Sequence, residues 1–82
     1  MKKIHFAPNV PAEIRAIERG TALRILVAIH RYAETGEGDV KRLSGEFDGL
    51  LRLRVGDHRV LFEETADVIR VERVRDRREA YR

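Results

Sequence analysis

The sequence has no cysteine and no tryptophan, one methionine and two prolines. Without cysteine, disulfides, thiolate nucleophiles and cysteine-ligated zinc are all excluded. Histidine is scarce too: His5, His30 and His58 fall on a strand, a helix and a turn, with no short-range ligand spacing. No metal site and no cofactor is expected from such a set. A glycine-rich phosphate loop is missing, because Gly36-x-Gly38 lies between a helix and a strand, whereas a phosphate loop must open a helix. Gly56-Asp57-His58 has no activated serine, cysteine or lysine nucleophile to go with it and reads as turn chemistry. No apolar run reaches the roughly 20 residues that span a bilayer. Met1-Lys2-Lys3-Ile4-His5-Phe6 carries lysines but no long apolar stretch after them, so it does not read as a signal peptide. The expectation is a soluble cytoplasmic protein with no membrane partner.

Charge and apolar residues are what the chain does have. Hydrophobic residues make up 43% and charged ones 38%, mixed in sign, which suits a small globular chain. With 82 residues and no linker, repeat or low-complexity stretch, one domain over residues 1–82 is expected. The net charge of +3 favours anionic partners without demanding them.

Read in order, Lys2 to Phe6 alternates polar and apolar residues and predicts a short strand. Asn9 or Val10 can cap a first helix with Pro11 in its opening turn, and Glu13 complements the positive helix end. Gly20 is expected to break this helix and Thr21 to cap the next. Over about Ala22 to Glu34, Ala22, Ile25, Leu26, Ile29 and Ala33 form an apolar stripe, widened by Leu23 and Tyr32, and Gly36 ends the helix. Val40 to Leu43 is a brief strand or extended segment. A final strand, Val68 to Val74, follows the turn at Glu64-Thr65-Ala66-Asp67.

The centre of the pattern is Leu51 to Phe62, two apolar and β-branched runs joined by Gly56-Asp57. A two-residue hairpin loop there sets Val55 opposite His58, Arg54 opposite Arg59, Leu53 opposite Val60, Arg52 opposite Leu61 and Leu51 opposite Phe62. Leu51, Leu53, Val55, Val60 and Phe62 then share one face, and Arg52, Arg54 and Arg59 the other. The predicted class is α+β: an N-terminal strand, then an antiparallel helical hairpin packed on one face of a mostly antiparallel sheet, in the order β-α-α-β-β-β. The helices cover the Leu51, Leu53, Val60 and Phe62 face, and the arginine face is left for solvent or a ligand.

Arg54 opposite Arg59 is a like-charge cross-strand pair, destabilising by itself, and arginine cannot relieve it by losing a proton. Such a cluster is either neutralised by Glu46, Asp48, Glu63 or Asp57, or serves an external polyanion, since guanidinium forks suit phosphate oxygens. A meander would bring Arg75, Arg77, Arg78 and Tyr81 of the tail towards it. Cations around one phosphate, with a phenol to stack on a base or donate a proton, would make an RNA-cleavage site that needs no metal, the substrate's own 2′-hydroxyl attacking. Arg70 and Arg73, mid-strand beside acids, are expected to form ion pairs with Glu63, Glu64 or Glu72.

Three segments in order, Lys41-Arg42-Leu43-Ser44-Gly45, Leu51 to Phe62 and Arg77-Arg78-Glu79-Ala80-Tyr81-Arg82, resemble the RelE/ParE superfamily of bacterial and archaeal toxins over essentially the whole chain. The resemblance implies the toxin of a type II toxin–antitoxin system, bound by a cognate antitoxin. RelE-type members cut messenger RNA in the ribosomal A site without a metal. Carried over by position, it implies catalytic roles for Arg52, Arg54, Arg59, Arg75 and Tyr81, and RNA-binding roles for Lys41, Arg77, Arg78 and Arg82. Arg52 and Arg54 stand where relatives often have lysine, and Asp76 where many have histidine. Both arginines are therefore assigned to electrostatic stabilisation, and the general base is left open among Asp76, His58 and Glu79. Two other readings share the fold: a ParE-type DNA gyrase inhibitor that cuts nothing, and a non-catalytic antitoxin- or RNA-binding module.

Overall fold

The computed structural model describes residues 1–76, so the roles expected of Arg77, Arg78, Glu79, Tyr81 and Arg82 lie outside the described residues. Strand β1 (Lys3–Phe6) is followed by helices α1 (Val10–Arg15) and α2 (Arg19–Thr35). Then come β2 (Asp39–Arg42), a single 3-10 turn (Gly45–Phe47), β3 (Leu51–Val55), β4 (His58–Glu64) and β5 (Val68–Asp76). The five strands form one sheet in the order β1-β5-β4-β3-β2, antiparallel except for β1 beside β5. This is the expected α+β architecture. The segment at Val40 is a full sheet member, so four strands follow the helices rather than the three of the short form β-α-α-β-β-β.

The hairpin register is the one the turn dictates, from Leu51↔Phe62 to Val55↔His58. Gly56 has φ +59 while no described residue other than glycine has positive φ, the pattern of a type II′ turn with glycine at its first central position. Leu53, Val60 and Phe62 are buried against Ile25, Ile29 and Ala33 of α2, with Leu51 and Val55 packed around them. Each fully buried Ile or Phe contributes roughly 1.5–3 kcal/mol.

Two expectations at the helices are corrected. Gly20 does not break a helix: α1 ends at Arg15, and Gly20 sits in the first turn of α2. The cap is Glu18, not Thr21; its carboxylate accepts the Gly20 and Thr21 N–H groups, both at 2.9 Å. A carboxylate satisfies the free N–H groups of a helix start as well as a hydroxyl does, and its charge suits the positive helix end. These hydrogen bonds from Gly20 and Thr21 hold the Glu18 carboxyl below its ordinary range. At the other end Gly36 adopts φ +77 and donates to the Tyr32 carbonyl, as expected.

The last strand carries a bulge that its sequence disguises. Leu61 pairs with Arg73 but Phe62 with Val71, so Glu72 is the extra residue. This changes the phase of alternation, and Val71 and Val74, three apart, are both buried in the same core. The strand also runs two residues beyond the expected Val74.

A polar tie fastens the layers together. The Tyr32 hydroxyl of α2 donates to Glu64 Oε1 (2.7 Å), and Lys2 Nζ donates to Glu64 Oε2 and the Thr65 carbonyl, both at 2.6 Å. The Tyr32 ring meets Phe62 edge-on at 5.3 Å. Burial, then the Glu64 hydrogen bond and charge, push the Tyr32 phenol up to about 12. Burial raises the Glu64 carboxyl, but Lys2 and Tyr32 more than offset it and leave it below its ordinary value.

Candidate functional site

Directly opposed residues of antiparallel strands present their side chains on the same face. The strand registers therefore align Asp39, Arg54, Arg59 and Arg75 in one row across β2, β3, β4 and β5. Two positions along the strands, a second row holds Lys41, Arg52, Leu61 and Arg73. The row between them, Val40, Leu53, Val60 and Val74, packs into the helix-side core, so both charged rows lie on the open face. At about 4.8 Å between strands, each row is roughly 15 Å wide. Four of the expected positions, Arg52, Arg54, Arg59 and Arg75, together with Lys41, are thus brought onto one surface. Arg73, expected to form only ion pairs, stands on it as well.

The individual side chains differ in their surroundings. Arg54 is exposed, with no carboxylate at ion-pair distance among the described residues. Arg59 is half-buried, and its guanidinium turns towards the hairpin loop, donating to the carbonyls of Gly56 (3.3 Å) and His58 (3.1 Å). Arg52 pairs with Asp39 at 3.2 Å, its side chain only 16% exposed. Its Nε is buried with no hydrogen-bond partner among the described residues. Arg75 pairs with Glu13 of α1 at 3.2 Å. The balancing acids are therefore Asp39 and Glu13, not the Glu46, Asp48, Glu63 or Asp57 weighed from the sequence. Glu46, Asp48 and Glu63 line a neighbouring cleft of about 620 Å³, which Arg73 and Arg75 also border. Arg70 does pair with an expected acid, Glu72, at 2.7 Å, but Glu64 is taken by Lys2.

The open face is not wholly polar. Leu61, set between Arg52 and Arg73, is fully buried yet lies outside the main core cluster. An apolar residue buried among the charges excludes water from beside them, which strengthens their field.

Of the candidate bases, His58 and Asp76 oppose each other and share the row of Val55, which packs towards the helices. They stand on the other side of the sheet from Arg54 and Arg59, lining a cavity of about 340 Å³ beneath the α1–α2 link. His58 Nδ1 is buried without a hydrogen-bond partner among the described residues. No group of three or more His, Asp or Glu residues able to hold a metal occurs among the described residues, and no helix there is long and apolar enough to cross a membrane.

Sequence reasoning missed Glu13, read only as a helix-end charge. Its role depends on β5 running further than β1, which topology alone reveals.

A family model described as the ParE toxin of the type II toxin-antitoxin system, parDE, matches residues 4–81. No curated protein matches the sequence. Among solved structures, the chain is similar to the RelB-RelE antitoxin-toxin complex of Methanococcus jannaschii, with 23% identity, TM-score 0.76 and 94% of each chain covered. It is similar to the archaeal RelE-RelB complex of Pyrococcus horikoshii OT3, with 22% identity, TM-score 0.78 and 96% and 98% covered. The H87Q mutant of YafQ from E. coli superposes over 100% of both chains with TM-score 0.81 at 10% identity. At these identities the likeness is one of fold.

Proposed function

We propose that this chain, which belongs to the ParE family of type II toxin–antitoxin toxins, is a metal-independent, ribosome-dependent mRNA endoribonuclease that inhibits translation and is held in check by a cognate antitoxin. The observation that carries this reading is the pair of cationic rows on the open sheet face, with Arg54 unpaired among the described residues. A protein gains nothing in stability from setting Arg54 against Arg59. It gains a surface that binds a phosphodiester and stabilises the extra negative charge of a pentacoordinate phosphorane. In this reading Arg54, Arg59 and Arg75 face the scissile phosphate, Arg52 supports them from its pair with Asp39, and Lys41 extends the track for the message. Arg77, Arg78 and Arg82 would bind RNA, and Tyr81 would stack on a base or orient it. The 2′-hydroxyl attacks the adjacent phosphorus, the P–O5′ bond breaks, and a 2′,3′-cyclic phosphate and a 5′-hydroxyl remain.

Proton transfer is the sparse part of the site. Guanidinium groups stay protonated, and His58 and Asp76 face the helix side. This favours dependence on the ribosome, which would orient the message where the toxin offers mainly charge. The antitoxin, the cytoplasm as place of action and a single toxin domain over residues 1–82 belong to the same reading.

Primer extension on a defined message in a purified translation system tests it, with wild type beside Arg59→Ala. Cleavage within codons that needs ribosomes and is lost in the variant is the expected result. Arg59→Ala should melt near wild type, since relief of the Arg54 repulsion offsets loss of the bonds to the Gly56 and His58 carbonyls. An intact message with wild type present overturns the reading. The family match favours a second one, inhibition of DNA gyrase by protein contact; loss of supercoiling activity with no cut message would establish it.

A further inference from the structure

Beyond the strand positions named so far, α1 reaches the same site. Strand β1 pairs with β5 only as far as Val71, and β5 continues to Asp76 with its outer edge uncovered by any strand of the described residues. An uncovered edge leaves N–H and C=O groups without partners. The residues after β1 supply them: Ala7 N–H donates to the Val71 carbonyl (2.9 Å), Asn9 Nδ2 to the Glu72 carbonyl (2.9 Å), and Val74 N–H to Glu13 Oε1 (2.8 Å). Glu13 Oε2 accepts from Asn9 Nδ2 at 2.7 Å and pairs with Arg75 Nη1 at 3.2 Å. The Glu13 side chain is 9% exposed, and that of Arg75 is 36% exposed. One carboxylate thus closes the sheet edge with one oxygen and holds a guanidinium with the other.

We propose that Glu13 is a positioning residue that fixes the Arg75 guanidinium at the end of the Arg54–Arg59–Arg75 row, so that Arg75 meets the reacting phosphate in a set orientation. This rests on the reading of that row as the phosphate site. An arginine beside two others is pushed towards solvent by their charge, and an unheld side chain spreads over many rotamers. A mostly buried carboxylate, itself fixed by the Val74 N–H and Asn9, counters that push. Arg75 keeps the remaining donors of its planar fork for a ligand. The arrangement has a distinctive consequence. Removing the Glu13 charge makes the open face more cationic, so binding of a polyanion is not weakened, while the chemical step suffers from a misplaced guanidinium.

The test compares wild type, Glu13→Gln, Arg75→Ala and the double variant in single-turnover cleavage of a message on programmed ribosomes, over a range of toxin concentrations, with thermal melting of all four. Glutamine keeps an oxygen for the Val74 N–H and discards the charge. The expected result for Glu13→Gln is a saturating rate about tenfold lower, with the half-saturating concentration unchanged or lower. In the Arg75→Ala background the same change should cost nothing further, because there is no guanidinium left to position. A wild-type rate in Glu13→Gln overturns the proposal. So does an equal loss with and without Arg75, or a rate loss that accompanies weaker binding and a lower melting temperature, because those mark a structural role alone. If wild type leaves the message intact, the phosphate-site reading falls and the role of Glu13 with it. That outcome is seen in the wild-type lane, the others only in the variants.

Discussion

Tyr32→Phe removes one oxygen atom and leaves the ring in its edge-on contact with Phe62. What is lost is the 2.7 Å hydrogen bond to Glu64, an acceptor that carries charge. Such bonds are worth about 1.5–3 kcal/mol. Glu64 retains Lys2, and its side chain is 22% exposed, so water can take the vacated position. The expected loss is therefore at the low end, about 1–1.5 kcal/mol, or a melting temperature lower by roughly 4–12 °C for a domain of this size. The pH dependence is the sharper signature. Folding raises the Tyr32 pKa from 10.0 to about 12. Between those values the unfolded chain has released this proton while the folded chain keeps it. The contribution is complete below pH 10, fades as pH rises above it and is lost through about 12. Glu64 works in the opposite direction: its lowered pKa gives stability that is present above its ordinary value of 4.5 and is lost as pH falls through the folded value. Urea unfolding of wild type and Tyr32→Phe from pH 3 to 12 measures both. The difference between the two proteins should be level near neutrality and shrink above pH 10. A difference that stays constant to pH 12, or a variant as stable as wild type at pH 7, would refute the argument that this hydroxyl ties α2 to the sheet.

Further outcomes follow from local geometry. A Cβ at Gly38 would stand 2.9 Å from Cδ1 of Leu53, which is 2% exposed, so Gly38→Ala should destabilise the fold by about 1–3 kcal/mol in denaturant titration. Glu18→Ala should lower the melting temperature more than Glu18→Gln, which keeps one oxygen to accept from Gly20 or Thr21. The gap between wild type and Glu18→Gln should narrow as pH falls through the depressed Glu18 pKa, since the charge is what distinguishes them.

The place of Arg54 opposite Arg59 was legible because it depends on a two-residue turn and a period of two, both local rules that operate over a few residues. The α2 stripe was legible for the same reason: Ile25, Ile29 and Ala33 repeat with the helical period and are buried. The sequence alone therefore determined the class, the hairpin register and the identity of the cationic face. It could not show that Glu72 is a bulge, since Val71 and Val74 look out of phase until β4 pairs with them. The alternation that places Arg59 on the cationic face also sets His58, opposite Val55, on the other side. Glu13 lies 62 positions from Arg75, and Lys2 lies 62 from Glu64. Only the tertiary structure decided those pairs. Strand order, unequal strand lengths and the placement of α1 along an uncovered edge are properties of the assembled sheet, and no local pattern in the chain encodes them.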